Sequence, residues 1–230
     1  MSIAKEPTAA GMAARTAVIL FVFVIVFTAV LAAAYAWTAP AIKASAAEEE
    51  MRTIKEVLPA ALYDNDLLKD TLELPVVPEL GQDDVSKVYR ARLAGQPSAL
   101  VLEAVAPDGY SGKIRMLIAV RADGQLAGVR VTQHKETPGL GDYVDPRKDK
   151  NKTRPWITQF DGLSFAQLPP KEWKVKKDGG HFDSNAGATV TPRAVVKAVR
   201  KALAYTIDNR DRLFASGNVK PDQPTTRNAS

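Results

Sequence analysis

The stretch "SKVYRARLAGQPSALVLEAVAPDGYSGKIRMLIAVRADGQLAGVRVTQH", residues 86–134, decides the fold. It holds four strand-forming runs, residues 86–93, 98–106, 113–120 and 125–134, rich in β-branched and aliphatic side chains. Between them lie "AGQP", "PDGYSG" and "ADG", which supply the Gly, Pro and Asp that tight turns require. Short connections between consecutive strands predict an antiparallel meander. In the first run Val88, Arg90 and Arg92 alternate with Tyr89, Ala91 and Leu93, so one face of the sheet is expected to be wetter than the other.

Upstream, Pro75 and Pro78 predict an irregular segment over residues 60–82. Before it, "AIKASAAEEEMRTIKEVLP" has the composition of a helical stalk that stops before Pro59, with Ile42, Ile54, Val57 and Leu58 as candidate buried positions. Pro40 is expected to interrupt the helix there. Earlier still, "TAVILFVFVIVFTAVLAAAYAW" from residue 16 carries no charge, and about 20 such residues as a helix cross the roughly 30 Å hydrocarbon core of a bilayer. The run exceeds a signal peptide's apolar region, which favours a retained anchor, and Tyr35 and Trp37 suit an interface. Lys5 and Arg15 precede it while Lys43 and "EEE" follow, so the N-terminus is expected on the cytoplasmic side.

Downstream, "TPRAVVKAVRKALAYTI" reads as a helix with Thr191 as N-cap, Pro192 in first position and apolar residues at Val195, Val199, Ala202, Leu203 and Tyr205 or Thr206. Beyond Asp208 the spacing fades into a Pro- and Thr-rich tail. The expected class is α+β: a cytoplasmic tail (1–15), transmembrane helix (16–38), stalk and linker (39–82), extracytoplasmic antiparallel sheet with packed helices (83–208) and flexible tail (209–230).

Composition narrows the chemistry. Of the 230 residues none is Cys, which excludes disulfides, thiolate-held iron–sulfur clusters and Cys-ligated zinc. The two histidines, His134 and His181, have no metal-ligand spacing, so no metal site is expected. A net charge of +5 raises the question of nucleic acid, but the basic run over residues 145–156 is broken by Asp145 and Asp149 and reads as a solvated loop or partner contact.

The stretch "DSNAGATVTPRAV", residues 183–195, delivers three small residues to a helix start. Orphan N–H groups and the helix dipole favour a phosphate there, with Arg193 at the second helical position adding a charge. Gly187, between Ala186 and Ala188, lets a bulky group approach the main chain, and Thr189 offers a hydroxyl at the rim. No base or Walker-type sequence adjoins it, and from the residues alone an ordinary capped helix is the favoured reading.

This stretch resembles the flavin-attachment motif, in outline D-x-x-S/T-G-A-T/S, of extracytoplasmic flavoproteins, with Asp183 leading, Gly187 and Ala188 as the Gly-Ala pair and Thr189 as acceptor. Ala186 stands where the family usually shows Ser or Thr. A second stretch, "HKETPGLGD" over residues 134–142, resembles a loop of the G subunit of Rnf-type ion-translocating ferredoxin:NAD oxidoreductases. The C subunit of sodium-translocating NADH:quinone oxidoreductase has a similar loop. Anchor, meander, "ETPGLG", Trp156 with Phe160, "KKDGG" and "GAT" follow the family's order over nearly the whole chain.

The resemblance implies one FMN per chain, joined through its phosphate to Thr189 by a dedicated flavin transferase. It implies cofactor contacts from Asp183, Gly187, Ala188, Thr191 and Arg193, and from Glu136, Thr137, Pro138, Gly139, Leu140 and Gly141. Glu136 and Thr137 would bond the ring's edge; Lys176 or Lys177 could steady a reduced ring, but a solvated lysine is the favoured reading for both. The expected role is an electron relay, not catalytic alone, in a complex with other membrane and peripheral subunits in the bacterial inner membrane, its main domain periplasmic, moving sodium or protons. Rival readings are the quinone-reductase C subunit, a flavin module of a reductase, a structural or assembly subunit without flavin, and an envelope-binding domain. His134, His181, Trp156 and Trp173 are expected to brace or pack.

Overall fold

The computed structural model describes residues 8–215, so Lys5 and most of the expected tail lie outside the described residues. The chain divides into two compact units, one ending at Glu49 and one beginning at Glu50. Most of helix α1 (Ala9–Val57) belongs to the first, where it exposes apolar side chains, among them Phe21, Ile25 and Leu31, along a span long enough to cross a membrane. The expected break at Pro40 is absent: the helix continues through it. The flanking residues are mostly Ala, the strongest helix former, and Thr38 Oγ1 donates to the Ala34 carbonyl at 2.9 Å one turn earlier.

The second unit is built on a five-stranded antiparallel sheet in sequential order: β1 (Thr71–Leu74), β2 (Ser86–Leu93), β3 (Gln96–Ala106), β4 (Ile114–Arg121) and β5 (Leu126–Gln133). The four expected strands are present, their ends close to those predicted. The segment expected to be irregular contributes β1, whose Leu72 and Leu74 are buried and pair opposite Val88 and Ser86. Four residues between a loop and Pro75 suffice for a strand when a neighbour supplies the ladder.

Neither face of the sheet is wet. On one face helix α2 (Val190–Asp208) buries Val195, Val199, Ala202, Leu203 and Thr206 against Leu100, Leu102, Ile118 and Val120. Each of the larger aliphatic side chains contributes about 1.5–3 kcal/mol by leaving water. The other face, with Tyr89, Ala91, Val101 and Ala119, belongs to a second cluster with Ile54, Val57, Leu58 and Leu67, whereas Ile42 is exposed. Arg90 and Arg92 are polar because they hold Asp70, at 2.6 and 2.8 Å, and donate to the Ala215 and Phe214 carbonyls at the end of helix α3 (Arg210–Phe214). That short helix buries Leu213 and Phe214, so apolar packing outlasts Asp208.

Trp156 and Trp173 are core residues. They join Phe160 and Phe182 in one aromatic cluster, with Phe160 and Phe182 stacked at 4.6 Å and Trp156 edge-on to Phe160 at 5.6 Å. The piece around "KVKKDGGHFD" forms a parallel bridge between Val175 and Phe182 around a 3-10 turn, Lys176–Asp178, in place of the expected strand. The basic run is not simply solvated: Asp145 and Asp149 are buried in it. Asp149 accepts from the Asn151 and Trp156 N–H groups at 2.9 and 2.5 Å.

Candidate functional site

Helix α2 begins at Val190, two residues before the expected start. Thr189 occupies the cap position without capping through its side chain, and the Arg193 N–H donates to the Thr189 carbonyl at 3.2 Å. Thr191 is therefore inside the first turn and Arg193 is its fourth residue. Val190 and Thr191 keep N–H groups that have no acceptor four residues back within the helix, and Pro192 has none to satisfy. The helix entrance is electropositive without help from a cap.

The two threonines differ. Thr191, fully buried, donates its hydroxyl to Glu136 Oε2, and this bond is why it does not cap the helix. Thr189 is buried too, 8% exposed, but it adjoins the exposed turn, and its hydroxyl makes no hydrogen bond among the described residues. Ahead of it, Gly187 has φ of +80° in an exposed turn, and a Cβ placed there meets nothing within 4 Å. A free hydroxyl, open space beside it and a helix N-terminus suit a phosphate ester at Thr189. Nothing comparable surrounds Thr191.

The second motif meets the first through Glu136. Its buried carboxylate accepts from Thr191 Oγ1 on one oxygen and from the Ser111 N–H, at 3.0 Å, on the other, joining the β3–β4 turn, the loop after β5 and helix α2. The expected bond from Glu136 to a flavin edge gives way to this internal brace. Gly141 is pressed between Glu136 and Thr191, where a Cβ would come within 2.8 Å of Glu136 Oε2. From that anchor the loop doubles back: the Thr137 carbonyl accepts from Leu140 and Gly141 at 3.1 and 3.2 Å, and the Gly139 N–H donates to Asp142 at 2.9 Å. Pro138, Gly139 and Leu140 form an exposed tip.

The "KKDGG" turn ties both ends of the attachment stretch. Lys176 pairs with Asp183 at 2.5 Å, and Arg193 makes a two-pronged pair with Asp178 at 2.5 Å on each nitrogen. The Arg193 bond holds the Asp178 carboxyl below its ordinary range, and Asp178 in turn raises the guanidinium. Both cations thus already hold a carboxylate partner. His134 braces: its Nδ1 accepts from the Glu136 N–H at 3.1 Å and its Nε2 lies 3.6 Å from Asp145.

Sequence reasoning missed Tyr143 and Gln159. Tyr143 is buried, its hydroxyl raised in pKa by burial, and that hydroxyl touches the backbone of Asn185 and Ala188. Gln159 accepts from the Asp183 N–H at 2.9 Å, and Trp156 Nε1 donates to the Asp183 carbonyl at 2.7 Å. These side chains also line an open groove of about 540 Å³ that runs from Asn151 and Arg154 to His181. Their only local signal is position, just after "GLGD" and within "WITQF".

Residues 109–204 match the FMN-binding domain family, and residues 10–57 match the RnfG N-terminal region. The chain is 47% identical over 201 residues, 87% of its length and 92% of the relative's, to the G subunit of the ion-translocating oxidoreductase complex of Pseudomonas aeruginosa. The chain belongs to this G-subunit family. Other members are 40% identical in Shewanella baltica, over 86% of this chain and 91% of that one, and 38% identical in Vibrio atlanticus, over 87% and 93%. The FMN-binding match spans the β3–β4 turn, the Glu136 brace, the clamps at Tyr143 and Gln159, and Thr189. For this member of the family the domain's ligand is thus FMN, and the residues of the helix α2 entrance fit its phosphate.

Proposed function

We propose that this chain is the FMN-bearing electron relay of an ion-translocating oxidoreductase, anchored by the apolar span of α1, with FMN joined through its phosphate to Thr189. The observation that carries the reading is the Thr189 hydroxyl, unbonded at a helix entrance beside the open turn at Gly187, in a chain of the G-subunit family with an FMN-binding domain. Bound FMN supplies electron transfer, singly or in pairs, at a potential tuned by its surroundings.

The chain's own residues hold and shield. The N–H groups of Val190 and Thr191 would hold a phosphodiester charge, and Asp183, paired with Lys176, would not add an uncompensated charge beside it. Thr137, Pro138, Gly139 and Leu140 offer backbone and an apolar tip to a flat ring, while Glu136 fixes the loop from behind. Loading needs an activated donor, because a phosphate monoester would have to lose water to esterify an alcohol. A flavin dinucleotide holds the same phosphate as an anhydride. Thr189 Oγ bonds to its flavin-side phosphorus, the P–O–P link breaks, and the hydroxyl proton and a nucleoside monophosphate leave, at a flavin transferase.

The partners in this reading are the other subunits of the complex, and the domain faces the periplasm, where a tethered flavin cannot diffuse away. The test is mass analysis of the tryptic peptide from Asp178 to Arg193. Purified from membranes that contain the transferase, it gains the mass of one FMN less one water, and fragmentation places the gain on Thr189. An unmodified peptide would leave a structural or assembly role as the reading.

A further inference from the structure

We propose that Tyr143, with Gln159 and Trp156, is a positioning residue for flavin loading: it holds the turn before Thr189 in the shape that the transferase must bind. This rests on the reading of Thr189 as the attachment residue.

Asp183, Asn185, Ala186 and Gly187 are exposed, so side-chain burial does little to order them. A segment with few apolar contacts opens readily unless polar contacts hold it. Among the described residues, the Lys176–Asp183 pair holds one end, and four further contacts come from residues 143–159. Tyr143 Oη accepts from the Asn185 N–H at 3.2 Å and donates to the Ala188 carbonyl at 3.4 Å, bracketing Gly187. Gln159 and Trp156 take the Asp183 N–H and carbonyl. The segment closes on itself where the Ala188 N–H meets the Asn185 carbonyl at 3.1 Å.

Tyr143 is suited to this because its ring is fixed independently of the turn. It packs edge-on to Trp156, with centroids 5.8 Å apart and planes at 85°, inside the core. Both bonds of its hydroxyl go to the attachment turn, so its polar end serves that turn alone. Where a binding-competent shape is only partly populated, apparent affinity falls by that fraction. Loss of the hydroxyl should therefore weaken recognition of the chain as a substrate and leave the chemical step at Thr189 unchanged.

The experiment is loading of full-length, unmodified chain in detergent by purified transferase with flavin adenine dinucleotide, followed as covalent flavin against chain concentration. Wild type, Tyr143→Phe, Gln159→Leu and Thr189→Ala are compared, with unfolding midpoints measured in parallel. Tyr143→Phe keeps the ring. The expected result is a KM about tenfold higher with kcat retained, matching about 1.4 kcal/mol, and a similar rise for Gln159→Leu. A lowered unfolding midpoint with unchanged loading kinetics would overturn the proposal, and so would a loss confined to kcat. A wild-type chain that stays unloaded while the transferase loads a control protein would overturn the Thr189 reading itself.

Discussion

Thr191 gives its hydroxyl to the buried carboxylate of Glu136, 55 residues away in sequence, and so joins the loop after β5 to the first turn of helix α2. Removing Glu136 strands two donors at once, the Thr191 hydroxyl and the Ser111 N–H. Glu136→Ala should cost about 2–3 kcal/mol, whereas Glu136→Gln, which keeps an acceptor, should cost about 1. Urea unfolding of the two variants checks the order.

Two glycines of the site, Gly141 beside that bond and Gly187 in the attachment turn, are needed for different reasons. Gly141 is hemmed in by Glu136 and Thr191, so Gly141→Ala should lose roughly 1–3 kcal/mol through crowding. Gly187 has room but a φ of +80°, and Gly187→Ala should lose only about 1 kcal/mol. Equal losses in thermal unfolding would contradict the packing at Gly141.

Acid should loosen the edge of the sheet at Asp70. Burial alone would raise its carboxyl, but bonds from Arg92 and Arg90 outweigh that and hold it below the ordinary 3.8. The folded form thus keeps its charge to lower pH than the unfolded form. Its contribution is present above about pH 4 and fades as pH falls through the lowered value. Asp70→Asn should cost on the order of 1–2 kcal/mol at pH 7, and the gap from wild type should narrow as pH falls below the ordinary carboxylate range. A gap that widens on acidification would reverse the sign and refute the pairing.

The α1 span predicts retention in lipid. Alkaline washing of membranes should leave the full chain in the pellet, and exchanging Val22 and Ile25 for Arg, at roughly 2.5–3.5 kcal/mol each, should release part of it. Complete release of the unaltered chain would contradict the anchor.

Much of this architecture is legible in the sequence where local signals suffice. The turns "AGQP" and "ADG" delimit strands, and Val195, Val199, Ala202 and Leu203 mark the buried stripe of α2. Reading fails where a distant partner decides. Thr191-Pro192 reads as a helix start because its hydroxyl looks free, yet Glu136 claims it and the helix begins earlier. The wet face expected from Arg90 and Arg92 is covered because both bond Asp70 and the carbonyls that end helix α3. Strand β1 is too short to announce itself between its flanking irregular segments. At the site, the small residues around Thr189 stand out, but the contacts of Tyr143 and Gln159 with that turn exist only once residues 143–159 fold against it.

The most direct test of the central claim is flavin fluorescence in a denaturing gel of the full chain purified from membranes that contain the transferase. Wild type is run beside Thr189→Ala and Thr189→Ser. The account predicts a fluorescent wild-type band, a dark Thr189→Ala band and residual fluorescence in Thr189→Ser, which keeps a hydroxyl. A dark wild-type band, or an equally bright Thr189→Ala band, would contradict covalent FMN at Thr189.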